Sequence, residues 1–358
     1  MRTEAASPCR DAVASCARHA GLAAAIVLLL ACGRSSAPVP LSGEIRFTEQ
    51  THFSVVADVQ RTSLWDHFLY GRESSDAERE LLVAEIAARR PGLLVITGDL
   101  VADGSSPAQW ADFDRLCAPL REKRIPVIAA IGNHEYWRAG RDNLAFFFAR
   151  FPHLRHQHWY SVGYGPVTLV VLDSNVDVLT TSEWSEQHAW LEQKLAELDR
   201  DARVRGVLVL LHHPPYTNST VTGDEAHVQE AFVPPFARSH KSLAMISGHV
   251  HSYERFDRGG KTFIVSGGGA WPRARLSVGK DRRHDDDLFA GPEYRDFHFL
   301  DMVPGPGGLD VQVMGVPRGG STFSRMDAFT LPWPSDDRED ASAGGSLPAR
   351  GDAAPPGR

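Results

Sequence analysis

Five short, uninterrupted apolar runs limit what this chain can become: Phe53–Ala57, Leu93–Thr97, Pro126–Ile131, Val207–Leu211 and Leu243–Ser247. Each has the length of a strand and none alternates, the pattern of strands buried on both faces. Helical patterns separate them. Asp76–Arg90 opens on Ser75-x-x-Glu78, a capping pattern, and stops at Pro91-Gly92. Glu183–Arg200 carries Trp184, His188, Leu191, Leu195 and Leu198 at helical spacing, a packing stripe in which His188 is structural. A hairpin is expected over Tyr160–Asp173, turned at Gly163-Tyr164-Gly165-Pro166, and Thr262–Val265 with Phe297–Val313 adds late β-structure. The alternation predicts an α/β domain of mixed sheets with helices outside, and no internal repeat is visible.

Each run ends on a residue with ligand chemistry. Phe53–Ala57 is followed by Asp58, Leu93–Thr97 by Gly98-Asp99, and Pro126–Ile131 by Gly132-Asn133-His134-Glu135. Val207–Leu211 is followed by His212-His213, and Leu243–Ser247 by Gly248-His249-Val250-His251. The carboxyl ends of strands in an open α/β sheet are where ligands bind, so five separate segments bring Asp, Asp, Asn, His and His to one edge. Taken singly, Asp99 and Asn133 would be turn or cap residues and His212 a satisfied core histidine. Five unrelated caps have no reason to share these residue types. Carboxylate and amide oxygens with imidazole nitrogens suit borderline divalent or trivalent ions such as Zn, Mn or Fe.

Composition narrows the chemistry. Of four cysteines in 358 residues, three fall in the first 32, leaving Cys117 alone in the body of the chain. A disulfide framework or a thiolate zinc cluster there is excluded, and the sixteen histidines become the informative count. The net charge of -7 gives no support to nucleic-acid binding by bulk electrostatics, so nucleic acid enters only as a possible substrate.

The segments Asp58-Val59-Gln60, Gly98-Asp99, Gly132-Asn133-His134-Glu135, His212-His213-Pro214-Pro215-Tyr216 and Gly248-His249-Val250-His251-Ser252-Tyr253-Glu254-Arg255 resemble, in order, the signatures of the calcineurin-like metallophosphoesterases. The last two are most similar to the purple acid phosphatase branch. The resemblance covers about His52 to Val316. It implies a two-layer mixed β-sandwich flanked by helices, with a two-metal site at the strand C-terminal ends. By the same resemblance Asp99 bridges both metals, Asp58 and His251 bind the first, and Asn133, His212 and His249 bind the second. His134 stands beside the substrate. Two metals about 3.5 to 4 Å apart can lower the pKa of a bridging water and clamp the phosphoryl oxygens during in-line attack. An imidazole such as His134 then assists the leaving group, typically worth about 10² to 10⁴ in rate.

Two departures bear on the first metal. Gln60 stands where many members have a histidine, and Ala102 where purple acid phosphatases place a metal-binding tyrosine. Gln60, a neutral oxygen donor, or water must complete that shell, so the site need not hold ferric iron. Asp103 beside the vacancy reads as turn polarity. His213 and Tyr216 follow His212 closely enough to face substrate, and His213 is equally placed to support a ligand. Arg255 is read as holding the histidine loop rather than phosphate. The run Asp281–Asp287 reads as a solvated loop, Gly267-Gly268-Gly269 lacks the lysine and helix of a nucleotide cradle, and Trp271 fits either the pocket rim or packing.

The ends read differently from the body. The apolar run Leu22–Ala31 is too short to span a bilayer and ends in Leu29-Leu30-Ala31-Cys32, which resembles the lipobox of bacterial lipoproteins. The expected organisation is a signal peptide over 1–31, lipidated Cys32 with a tether to 51, a metallophosphoesterase domain over 52–316 and a low-complexity, disordered tail over 317–358. This predicts an exported, lipid-anchored protein of the bacterial cell envelope, on the membrane through Cys32. The expected activity is di-metal-dependent hydrolysis of phosphate esters. The alternatives are a phosphodiesterase or nuclease on the same centre, or a non-catalytic metal- or phosphate-binding surface lipoprotein, which the retention of His134 opposes.

Overall fold

The computed structural model describes residues 52–62, 74–138 and 140–335. The expected signal peptide, Cys32 and tether, and the tail past residue 335, lie outside these. The strands in chain order are β1 (Phe53–Val56), β2 (Leu93–Thr97), β3 (Val127–Ala130), β4 (Tyr160–Tyr164), β5 (Val167–Val171), β6 (Gly206–Leu210), β7 (Ser242–Ser247), β8 (Tyr253–Arg258), β9 (Lys261–Ser266), β10 (Phe297–Pro304), β11 (Gly308–Val316) and β12 (Ser324–Pro332). The helices are α1 (Asp76–Arg89), α2 (Pro107–Leu116), α3 (Ala118–Glu122), α4 (Ala145–Arg150), α5 (Thr181–Arg200), α6 (Ala226–Ala231) and α7 (Val233–Arg238).

Two six-stranded sheets form, in the orders β12-β11-β10-β1-β2-β3 and β4-β5-β6-β7-β9-β8. The runs that ended on ligand residues lie in the parallel centres: β1, β2 and β3 in one sheet, and β6 and β7 in the other, where β5 and β9 flank them in parallel. Antiparallel strands complete the edges. Between the sheets, Phe53, Val55, Val95 and Ile128 share a core with Leu169, Leu208, Ile246 and Ile264. The alternate residues face outward, as the period of a strand requires. Leu94, Ile96 and Ala129 share a core with Leu82, Ile86, Trp110, Phe113 and Phe147 of α1, α2 and α4. Val170, Val207, Val209 and Met245 do so with Leu191, Leu195, Val228 and Phe236 of α5, α6 and α7. Burial on both faces explains the unalternating runs, and the observed layers are the mixed β-sandwich flanked by helices that was expected.

Four local expectations are corrected. Ser75 makes no side-chain cap, and Glu78 instead accepts the Gly319 N–H at 2.7 Å. The reciprocal capping box belongs to α5, between Thr180 and Glu183. His188 of α5 is half-exposed beside Glu192, while the neighbouring Gln187 is buried and bonds both backbone groups of Asp173. The buried arc runs through Gln187, Leu191, Leu195 and Leu198, so the stripe turns one residue away from His188. The domain extends beyond 316, because β12 pairs along β11 from Gly315↔Ser324 to Gly308↔Pro332. An edge strand covers apolar surface with one face only, so its composition is half polar. The run 281–287 is docked, with Asp286 on Arg258 at 2.8 Å and Asp287 accepting the N–H groups of Arg255 and Phe289.

Candidate metal centre

The strand ends converge as expected. Asp58, Asp99 and His251 bring donor atoms within 4.8 Å of one another, and so do His212, His213 and His249. Asn133 Oδ1 lies 3.0 Å from both His212 Nε2 and His249 Nδ1. Asp99 Oδ2 lies 3.3 Å from His212 Nε2 and accepts from Gln60 Nε2 at 3.3 Å, which places Asp99 between the two groups. His134 Nε2 is 3.9 Å from Asp99 Oδ2.

The chain distorts its backbone to do this. Asp58, Asp99 and His249 have φ of 58°, 56° and 65°, left-handed values that cost a non-glycine residue about 1 kcal/mol or more each. The turns fold the side chains back over the strand ends. Two glycines make room for them. A Cβ on Gly132 would sit 2.1 Å from Asp99 Oδ1, and one on Gly267 would sit 2.7 Å from Asp58 Oδ2 and 2.2 Å from the Val250 carbonyl. The glycine run at 267 thus serves close packing under Asp58.

Hydrogen bonds on the far side of each ring set where the lone pairs point. His212 Nδ1 lies 2.9 Å from the Thr97 carbonyl, His251 Nδ1 3.1 Å from Pro272 O, and His134 Nδ1 2.8 Å from Ala102 O. A carbonyl only accepts, so each Nδ1 carries a proton and, in the neutral ring, each Nε2 offers a lone pair. Asn133 Oδ1 is also an acceptor. In the neutral ring His212 Nε2 therefore faces the acceptors Asn133 Oδ1 and Asp99 Oδ2 at 3.0 and 3.3 Å, an arrangement that a cation satisfies, or a proton in its place. Gln60 adds a second sign: its Oε1 is buried without a partner. The residues present fit a metal centre built from oxygen and nitrogen donors.

Electrostatics agree. Burial pushes the Asp58 carboxyl up, opposed by His251. Burial would also raise Asp99, but His212 and His134 outweigh it and hold that carboxyl well below its usual range. Burial alone would lower His212, yet the Asp99 carboxylate lifts it to about 9. Burial and the neighbouring His212 push His249 down to about 3. Positive charge is thus favoured between Asp99 and His212 and opposed on a second ring.

Three residues that sequence reasoning left without a role support the centre. Glu135 Oε2 accepts the N–H groups of Asp99 and Gly132 at 3.0 and 2.8 Å, and its Oε1 accepts those of Leu100 and Val101 at 2.8 and 3.3 Å. Its place in Gly132-Asn133-His134-Glu135 was the available signal. Ser174, just past β5, accepts from the N–H groups of His212 and His213 and so donates its hydroxyl to His213 Nδ1 at 2.9 Å. His213 therefore keeps its proton on Nε2, with its ring 4.5 Å from that of His249. Trp271, undecided from sequence, lies with its ring 5.3 Å from His134.

Other expectations resolve outside the centre. Tyr216 packs edge-on against Phe263 and His284 with the Arg258 guanidinium 3.7 Å above its ring, so its partners are not the ligand histidines. Arg255 bonds Asp327 of β12 at 2.9 Å, which ties the segment after the histidines to the edge strand. Asp103 caps a turn through Ser105. Ala102, where a tyrosine was missing, orients His134 through its carbonyl.

Two mixed sheets packed face to face, with helices outside and a carboxylate–histidine centre across the ends of both, define the metallophosphoesterase fold. Residues 51–253 match the calcineurin-like phosphoesterase family, and the chain belongs to it. Purple acid phosphatase 22 of Arabidopsis thaliana is 32% identical over 176 residues, covering 46% of this chain and 39% of that protein. A probable cyclic nucleotide phosphodiesterase of Synechococcus sp. is 28% identical over 179 residues, covering 49% of this chain and 64% of that one. The chain thus spans less than half the length of the plant phosphatase it matches. Purple acid phosphatase PPD1 from yellow lupin superposes with a TM-score of 0.63 at 18% identity, over 87% of this chain and 58% of that one. A dimetal phosphatase from Danio rerio superposes with a TM-score of 0.54 at 18% identity, over 79% of this chain and 99% of that one.

Proposed function

We propose that the protein is a di-metal-dependent hydrolase of phosphate esters. The observation that carries this reading is the convergence of oxygen and nitrogen donor atoms of Asp99, Asn133, His212 and His249 at 3.0 to 3.3 Å beside His134. Asp58, Gln60, Asp99 and His251 would hold one ion, and Asp99, Asn133, His212 and His249 the other. Bound there, divalent or trivalent ions supply Lewis-acid polarisation of phosphoryl oxygens and a water acidic enough to act near neutral pH. The remaining work falls to the chain. His134 is anchored through its Nδ1–H on the Ala102 carbonyl and presents Nε2 to the centre, and as the imidazolium, protonated on both nitrogens, it can pass the Nε2 proton to the departing ester oxygen. His213 offers an Nε2–H beside His249 as a donor for a phosphoryl oxygen.

A phosphodiesterase on the same centre is the second reading. Its support is that Arg255, the arginine of the motifs, is committed to Asp327, and that the Synechococcus relative carries a phosphodiesterase name. Monoesters bring an extra charge that a cationic side chain would be expected to meet. Purified protein should hydrolyse mono- and bis-(p-nitrophenyl) phosphate only when loaded with Mn, Zn or Fe, and the ratio of the two rates separates the readings. His134→Ala should cut turnover about 10²-fold or more with metal content retained. Activity that survives Asp99→Ala would refute both, and bound metal without turnover of either ester would favour a non-catalytic binding lipoprotein.

We also propose export and lipid anchoring through Cys32 in the bacterial cell envelope, supported by the Leu29-Leu30-Ala31-Cys32 context. Among the described residues no helix is long and apolar enough to cross a membrane. Cys32→Ser should shift the expressed protein from the membrane fraction to the soluble one and abolish labelling by a fatty acid. Unchanged fractionation and labelling would sink the proposal.

A further inference from the structure

The side of the centre beside His134 is walled by aromatic rings. Trp137 lies nearly parallel to the His134 imidazole, with centroids 5.4 Å apart and planes 17° apart. Trp271 flanks His134 at 5.3 Å and His251 at 6.0 Å. The two indoles differ in exposure: Trp271 is 7% exposed, whereas Trp137 is 50% exposed. Trp137 is also held in place. Its backbone N–H donates to the His134 carbonyl at 3.3 Å, and the Tyr136 backbone N–H donates to the Asn133 carbonyl at 3.2 Å. The turn that carries Asn133 and His134 therefore carries Trp137 with them. An indole is among the largest apolar surfaces a chain can remove from water, and Trp137 leaves half of its own exposed. Here a flat ring, half open to solvent, stands beside the imidazole that faces the departing oxygen.

We propose that Trp137 is a stacking platform for the leaving group, and that the preferred esters carry a planar aromatic group on the departing oxygen. This rests on the hydrolase reading above. Stacking on an indole face tolerates any flat π-system, so a nucleoside and a phenol satisfy the same chemistry. The indole that would receive it lies beside His134, the proposed proton donor.

The test compares kcat/KM of the Mn-loaded protein on adenosine 5′-monophosphate, O-phosphotyrosine and ribose 5-phosphate. The aromatic esters should exceed ribose 5-phosphate by about tenfold or more. Trp137→Ala should bring that ratio toward one whatever happens to the absolute rates, and Trp137→Phe should retain most of it. The aromatic ester with the larger ratio distinguishes nucleoside from phenol. A wild-type ratio near one, or a ratio unchanged in Trp137→Ala, overturns the proposal. If no ester is turned over, the hydrolase reading fails separately, and stacking is judged by binding without added metal. Adenosine 5′-monophosphate should quench tryptophan emission in the wild type and not in Trp137→Leu. Equal quenching in both, or none in the wild type, overturns the platform.

Discussion

Glu135 holds Asp99 by its backbone: the carboxylate accepts the Asp99 N–H at 3.0 Å and the Gly132 N–H at 2.8 Å, stitching the β2 and β3 loops together. Four backbone donors converge on this one side chain. Glu135→Gln preserves shape but turns an NH₂ toward N–H groups. It should weaken metal binding about 10- to 100-fold and lower stability by about 1–3 kcal/mol. Calorimetric titration with Mn²⁺ and urea unfolding measure the two effects. Unaltered affinity would remove Glu135 from the support of the centre.

Gly132→Ala attacks the same contact from the other side. The added carbon would lie 2.1 Å from Asp99 Oδ1 and 2.3 Å from the Asp99 nitrogen, and Glu135 pins both loops. The variant should lose most of its bound metal while keeping the far-UV circular dichroism of the parent. Elemental analysis of the purified protein decides it.

Gln60 separates a ligand from a packing residue. It is fully buried, its Nε2 serves Asp99, and its Oε1 has no protein partner. Gln60→Leu exchanges one hydrogen bond for the relief of an unsatisfied oxygen, so stability should change by less than about 1 kcal/mol. Metal content should fall toward one ion per chain. Gln60→His, with a stronger donor, should tighten the weaker site in a competition against a chelator.

Away from the centre, Glu254 gives the fold a pH dependence. Burial raises its carboxyl to about 7, against the bonds it accepts from Thr217 and Asn218. The folded state therefore keeps the proton where the unfolded chain releases it. This contribution is complete below the unfolded value of 4.5 and is lost as pH rises to about 7. Melting temperatures should decline across that window, and Glu254→Gln should flatten the decline. Parallel profiles for the two proteins would disprove the assignment.

Legibility followed burial. Runs such as Leu93–Thr97 could be read because a strand covered on both faces has no polar alternation, whichever sheet it joins. The half-covered strand β12 escaped because Phe329 and Leu331 are interleaved with polar residues. His188 and Gln187 were confused because one helical step, about 100°, separates a core position from a surface one, and a polar residue can take the core position when a backbone group such as that of Asp173 meets it. Tyr216 follows His212 by four residues, but its ring contacts are set by other segments. After Pro214-Pro215 its ring joins Phe263 and Arg258.

The order of residues alone determined which donors stand at the strand ends, because a buried strand must stop where polar side chains begin. Asp58, Asp99, Asn133, His212, His249 and His251 were all found on that ground. Tertiary structure decided what those donors can do. The Nε2 atoms of His212, His251 and His134 face the centre because their other nitrogens donate to the carbonyls of Thr97, Pro272 and Ala102. For His212 that carbonyl is 115 residues away. A hydrogen bond between parts so distant in the chain exists only once both sheets have closed, so no local pattern could announce it.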